Sequence, residues 1–156
     1  TRTPDDREWC AALMATSEPW VQLGRDLATS RRLINDESRE VYLARRQKSR
    51  LGFVVLTLAG ALPGYIQSVA VAPAVRGEGI GSLLLAHAEA RIFAVSPNVF
   101  LCVSSFNPRA RRLYERAGYQ LIGAMPDYLV RGHSELLFRK SRGPWSEFAV
   151  QHPNER

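Results

Sequence analysis

The sequence predicts an α/β (α+β mixed) fold: one mixed sheet with helices on its faces. Three observations carry that reading. The elements run ααββ, then βαβα, then ββ. The two strands of the βαβα unit, Tyr65–Ala72 and Val99–Ser105, are apolar enough to be buried on both faces. The 156 residues, 46% hydrophobic and 23% charged, suit a single core and exclude disorder, collagen and a disulfide scaffold.

The elements follow from local chemistry. Thr3-Pro4-Asp5-Asp6 opens a helix, with a capping threonine, proline at its first position and acids at the positive end of the dipole. That helix runs to about Thr16. Ser17-Glu18-Pro19-Trp20 interrupts it, and a second helical stretch reaches Ile34 before a loop at Asn35–Ser38. Glu40–Arg45 and Leu51–Leu58 form a hairpin about Gln47-Lys48-Ser49. Gly60–Gly64 turns the chain into the strand Tyr65–Ala72, which Pro73 ends. Gly79–Phe93 is a helix with an apolar stripe of Ile80, Leu83, Leu84, Ala88 and Ile92. After Val99–Ser105, Asn107-Pro108 caps a helix with Ala110, Leu113, Tyr114 and Ala117 on one face, closed by Gly118. Tyr119–Ala124 and Glu135–Arg139 are strands about a loop at Asp127–His133. The tail Ser141–Arg156 is either a loose terminus or is anchored by Trp145 and Phe148, on its own domain or on a second copy.

Charge excludes less. There are 21 basic and 15 acidic residues, a net +6, and all the basic ones except Lys48 and Lys140 are arginine. Nucleic-acid binding needs that charge gathered on one face. Here it is scattered and often beside acids, as with Arg111 and Glu115 at i,i+4 spacing. No apolar run approaches the ~20 residues of a membrane span, and the N-terminus carries no basic-then-apolar signal. Cys10 and Cys102 have no metal or redox spacing, so no metal and a reducing cytoplasm are expected.

The run Arg76-Gly77-Glu78-Gly79-Ile80-Gly81 joins a buried strand to an amphipathic helix. Glycines there let the backbone approach a ligand, and free N–H groups at a helix start favour an anion. A P-loop is excluded because Gly81 is followed by Ser82-Leu83. A dinucleotide fingerprint is excluded because Ser82 stands at its last glycine and the next strand ends Val103-Ser104-Ser105, without an acid.

Val71-Ala72-Pro73 followed by Arg76-x-x-Gly79-x-Gly81 resembles the acyl-CoA pyrophosphate loop of the GNAT superfamily of N-acetyltransferases. Asn107, Ala110, Tyr114 and Gly118-Tyr119 match the second half of its signature, and the resemblance covers about residues 40–140. It implies a mostly antiparallel sheet whose parallel central strands, Tyr65–Ala72 and Val99–Ser105, splay apart around the cofactor. Residues 1–140 would be one acyl-CoA N-acyltransferase-like domain and 141–156 a tail. The family's usual first strand is expected to be clipped or absent, since a helix signal follows Thr1 within three residues.

The resemblance implies acetyl-CoA as co-substrate and a small-molecule or peptide amine as acceptor, with a homodimer open. Backbone groups of Val69, Ala70 and Val71 would bind the pantetheine arm, and the N–H near Val71 would face the thioester oxygen. N–H groups of Arg76, Gly77, Glu78, Gly79, Ile80, Gly81 and Ser82 would hold the pyrophosphate. Asn107 and Ala110 would line the arm, Arg109 and Arg112 would reach phosphate groups, and Tyr114 would be the general acid. No adequate base stands on the two splayed strands, which offer Gln67, Ser68 and Cys102; a buried thiol such as Cys102 is inert core. Glu18 is the first candidate, through a water chain, with His133 and Glu135 behind it. His87 reads as structural or solvated. The competing readings are an acyl-CoA sensor without catalysis and, on net charge alone, a nucleic-acid-binding domain.

Overall fold

The computed structural model describes residues 3–149. Helix α1 (Pro4–Ala15) begins as its capping signal predicts, with the Asp6 amide donating to Thr3 Oγ1 at 3.2 Å. The second helix is shorter than expected. Residues 17–24 form turns, Gly24 adopts φ 69°, and α2 (Leu27–Ile34) starts only where Asp26 accepts the Thr29 amide at 2.8 Å. A left-handed glycine cannot continue a right-handed helix, and the aspartate caps a fresh start.

Six strands follow: β1 (Glu40–Arg46), β2 (Ser49–Thr57), β3 (Tyr65–Val71), β4 (Asn98–Ser104), β5 (Gln120–Pro126) and β6 (Ser134–Ser141). Their order in the sheet is β1-β2-β3-β4-β6-β5, and among the described residues only β3 and β4 run parallel. Helix α3 (Ile80–Phe93) joins β3 to β4, and α4 (Pro108–Arg116) follows β4.

Two cores flank the sheet. On one face Ile80, Leu84, Leu85, Ala88 and Ile92 of α3 and Tyr114 of α4 pack on Val54, Ile66, Leu101 and Phe138. On the other, Cys10, Met14 and Ile34 of the first two helices cover Val41, Phe53, Val55 and Ala70. Helices therefore cover both faces, as expected. Leu83 is not in the stripe assigned to it: it is 60% exposed and Leu85 is buried instead. The stripe centres on Leu84, Ala88 and Ile92, and at 100° per residue Leu83 falls on the far side.

Strand β5 is an edge and nearly all exposed, with Leu121 and Ile122 open to solvent. Tyr119 lies before it, buried edge-to-face against the Tyr114 ring with centroids 6.0 Å apart. The described part of the tail rests on the end of α3. The Arg142 guanidinium lies over the Phe93 ring at 4.0 Å, its amide donates to the Pro97 carbonyl at 2.9 Å, and Trp145 packs on Phe148. Residues 150–156 of the expected tail lie outside the described residues. Cys10 and Cys102 are free thiols, and no described helix is long and apolar enough to cross a membrane.

Candidate active site

Strands β3 and β4 pair only at Tyr65 with Phe100 and Ile66 with Leu101, then separate. A bulge precedes the opening. Val55 and Leu56 of β2 face Ser68 and Ile66, so Gln67 is the extra residue on β3. A bulge bends and twists its strand, which turns β3 away from β4. Past it, the Ala72 amide donates to the Leu51 carbonyl at 2.8 Å. Backbone direction alternates along a strand, so the polar groups of Ala70 face β2 and those of Val69 and Val71 face the crevice. The expectation that Ala70 offers its backbone polar groups there is corrected; Ala70 lines the cavity without presenting them.

The glycine loop lies at the crevice mouth. Gly77 and Gly79 take φ 85° and 84°, which only glycine holds without strain, and Gly79 caps α3 with no side chain. The Arg76 and Glu78 amides close turns on the Pro73 and Val75 carbonyls, both at 3.4 Å. The Glu78 carboxylate meets Arg46 at 3.0 Å. Those two amides are therefore already engaged, and the expected cradle shrinks to Gly77, Gly79, Ile80, Gly81 and Ser82. These five N–H groups donate to no acceptor among the described residues. The Arg76 Nε donates to the Val71 carbonyl at 3.2 Å, which holds its guanidinium at the loop.

A cavity of about 430 Å³ runs along this loop and crevice. It is lined by thirteen of the fifteen residues expected to bind the cofactor: Val69, Ala70, Val71, Arg76, Gly77, Gly79, Ile80, Gly81, Ser82, Asn107, Arg109, Ala110 and Tyr114. Glu78 and Arg112 are not among them; Arg116 is. Arg116 follows Arg109 by seven residues and so shares its helix face, whereas Arg112 points about 60° away from it. That spacing was the missed signal. Ser17 adds a buried hydroxyl with no partner.

A second cavity, of about 470 Å³, meets the first. Its floor is Gln67, Ser68, Cys102, Ser104 and Glu135, its walls the α1–α2 turn with Glu18, Trp20 and Arg25, and the β5–β6 loop with Tyr128 and Leu129. Asn107, Ala110 and Tyr114 line both cavities, as expected of i, i+3 and i+7 on one helix face. Asn107 also caps α4, accepting the Ala110 amide at 3.2 Å. Tyr114 is only 8% exposed, and burial pushes its phenol up to about 12.

The candidate bases separate. Glu18 lines both cavities and accepts the Gln22 amide at 3.2 Å. Glu135 is buried in the second cavity, where the Ser104 hydroxyl donates to it. His133 lines neither: it packs edge-to-face on Phe106, centroids 5.0 Å apart. Cys102 is not core as expected: it is half-buried on the floor of the second cavity, although burial still raises its thiol. His87 stacks on Tyr42. Arg25, between Gly24 and the α2 cap, was not expected; no local pattern marks an arginine that reaches a cavity through the fold of a turn. Among the described residues no group of three or more metal-ligating side chains gathers.

A sheet opened between two parallel strands, with a glycine-capped helix at the opening, defines an acyltransferase architecture. The acetyltransferase (GNAT) family model matches residues 7–119, and the chain belongs to that family. It is 34% identical over 136 residues to an uncharacterized protein of Mycobacterium leprae (strain TN), covering 82% of this chain and 36% of that protein. It is 34% identical over 90 residues to the blasticidin-S acetyltransferase of Streptomyces morookaense, covering 53% and 66%. The chain thus spans about one third and just under two thirds of these relatives' lengths. A GNAT-family acetyltransferase structure from Desulfovibrio desulfuricans superposes with a TM-score of 0.77 at 18% identity, covering 90% of this chain and 95% of that one. An aminoglycoside 6'-N-acetyltransferase complexed with coenzyme A gives 0.72 at 16% identity, covering 91% and 93%. At those identities the structures establish the fold.

Proposed function

We propose that the chain transfers an acetyl group from acetyl-CoA to a primary amine by direct attack of the amine on the thioester. One observation carries the reading: two cavities meet at the opening between β3 and β4, and Tyr114 lines both. A sensor of acyl-CoA needs the first cavity only, so the second favours catalysis.

The residues present fit the co-substrate. Five unengaged N–H groups at a helix start, with Arg76, Arg109 and Arg116 lining the same cavity, suit a diphosphate. Val69 offers its backbone groups, and Val71 its N–H, to a pantetheine arm in the manner of an added strand; the Val71 carbonyl is already taken by Arg76. Acetyl-CoA supplies a thioester whose C–S bond breaks as the N–C bond forms, releasing a thiol and, from an ammonium acceptor, one proton.

The chain's own groups do the rest. The Val71 N–H would face the thioester oxygen and stabilise the charge developing there. Tyr114 holds its proton too tightly to surrender it to a thiolate of pKa ~8.5; full transfer from a phenol near 12 is uphill by roughly 5 kcal/mol. It therefore acts as a hydrogen-bond donor to the departing sulfur. Glu18, at the junction of the cavities, would take the amine proton through water. A cytoplasmic setting keeps Cys10 and Cys102 reduced, as they stand here.

Calorimetric titration with acetyl-CoA, followed by thiol release with a panel of small-molecule and peptide amines, tests this. Binding with turnover of at least one amine is expected. Tight binding without turnover would leave a sensor, and no binding would overturn the reading altogether.

A further inference from the structure

The second cavity holds three polar features that the transfer chemistry does not use. Arg25 is half-buried on its wall, yet makes no hydrogen bond from its side chain and no ion pair within 4.0 Å among the described residues. Its nearest charged neighbours include Arg39, already committed to Asp36 at 3.3 Å. Burial lowers the Arg25 guanidinium from its ordinary value, and Glu135 only partly offsets this. Glu135, 6% exposed, forms the floor with one oxygen taken by Ser104. Ser68, 5% exposed on the same floor, has a buried hydroxyl with no partner.

A guanidinium brings five fixed donors and no acceptor, so an unpaired one turned to a partly buried cavity is matched by a carboxylate or another anion. Arg25 and Glu135 are near enough to feel each other's charge, yet do not touch. Opposite poles lining one cavity suit a ligand that carries both signs. Around them Leu23, Leu62, Met125, Tyr128 and Leu129 give apolar walls.

We infer that the acceptor is a zwitterionic amine, an α-amino acid or close analogue with an apolar side chain, whose carboxylate pairs with Arg25 while its amine lies toward Glu135. The inference rests on the transferase reading but is read out separately from it. Arg25 acts in binding and selection and touches no reacting atom.

Matched pairs test it: phenylalanine against phenethylamine, and leucine against isopentylamine. Each is titrated calorimetrically into the protein without coenzyme A, then assayed for thiol release with acetyl-CoA. The amino acid of each pair is expected to bind at least tenfold more tightly and to be acetylated with the higher kcat/KM. In Arg25→Gln that ratio falls toward one through KM, with kcat moved less than threefold. Arg25→Lys restores part of it. A wild-type preference for the carboxylate-free partner, or a ratio unchanged in Arg25→Gln, overturns the inference. If Arg25→Gln does not fold, the wild-type ratio alone decides. If acetyl-CoA fails to bind or turn over, the transferase reading falls, while the coenzyme-free titrations still decide for or against Arg25.

Discussion

Burial keeps the Tyr114 phenol protonated throughout the range in which most enzymes work, because the charged form loses its solvation. Its apparent acidity near 12 makes a prediction of definite sign. The wild-type pH–rate profile should show no alkaline limb near pH 10, where an ordinary tyrosine would lose its proton. Tyr114→Phe should lower kcat about tenfold to a hundredfold, the worth of one hydrogen bond to a charged group. Acetyl-CoA affinity should change less than threefold. Parallel profiles for the two proteins are expected; a limb near pH 10 in the wild type alone would show that the phenol titrates. Tyr114, Asn107 and Ala110 were readable beforehand through the family signature they match; helical spacing alone would have put Tyr114 in the core stripe. Arg25 was not, since its neighbours come from β3, β6 and a distant loop.

Between elements, the tie most exposed to test is Asp6. From α1 its buried carboxylate accepts from Arg45 of β1 and from Arg50 Nε of β2 at 2.9 Å. The Thr3 hydroxyl as a donor to the carboxylate, and then Arg45, hold it down at about 2, from an ordinary 3.8. A depressed acid stabilises the fold above its unfolded pKa and loses that contribution as pH falls through the folded one. Asp6→Asn should therefore lower the melting temperature clearly at pH 7. The gap from wild type should shrink as pH drops from about 4 to about 2. Melting curves at pH 7, 4 and 2 check this; a gap that does not narrow would mean the substitution acts through packing. The pair Thr3 and Asp6 was visible as a capping signal, and so were most elements, because caps, glycines and apolar periods act locally. Gly24 and Asp26 also carried the true start of α2. The position of β6 between β4 and β5 had no such local mark, since strand order is decided by contacts far apart in sequence.

At the scale of the molecule, the opening of the sheet and the two loops closing over it decide which amine can react. The glycine loop and the α4 signature announced the opening. Its acceptor side could not be foreseen, because residues 17–25 and 125–129, far apart in sequence, line one cavity only through the tertiary fold. Among the described residues that side offers an exposed Glu18, which would act only through water, and a Glu135 already bonded to Ser104. The intrinsic cost of deprotonation then governs selectivity. At pH 7 a lysine-like amine near 10.4 costs about 4.6 kcal/mol to neutralise, and an α-amine near 8 about 1–1.4 kcal/mol. Acetylation of a peptide's N-terminus should therefore exceed that of its lysine side chain at least tenfold at pH 7. Between pH 7 and 9 the lysine rate should climb about tenfold per unit, while the α-amine rate levels off near its own pKa. Site-resolved mass spectrometry of one peptide carrying both amines, acetylated across that range, measures both rates. A lysine preference at pH 7 would require a strong base in the second cavity, and Glu135→Gln would then be expected to abolish it.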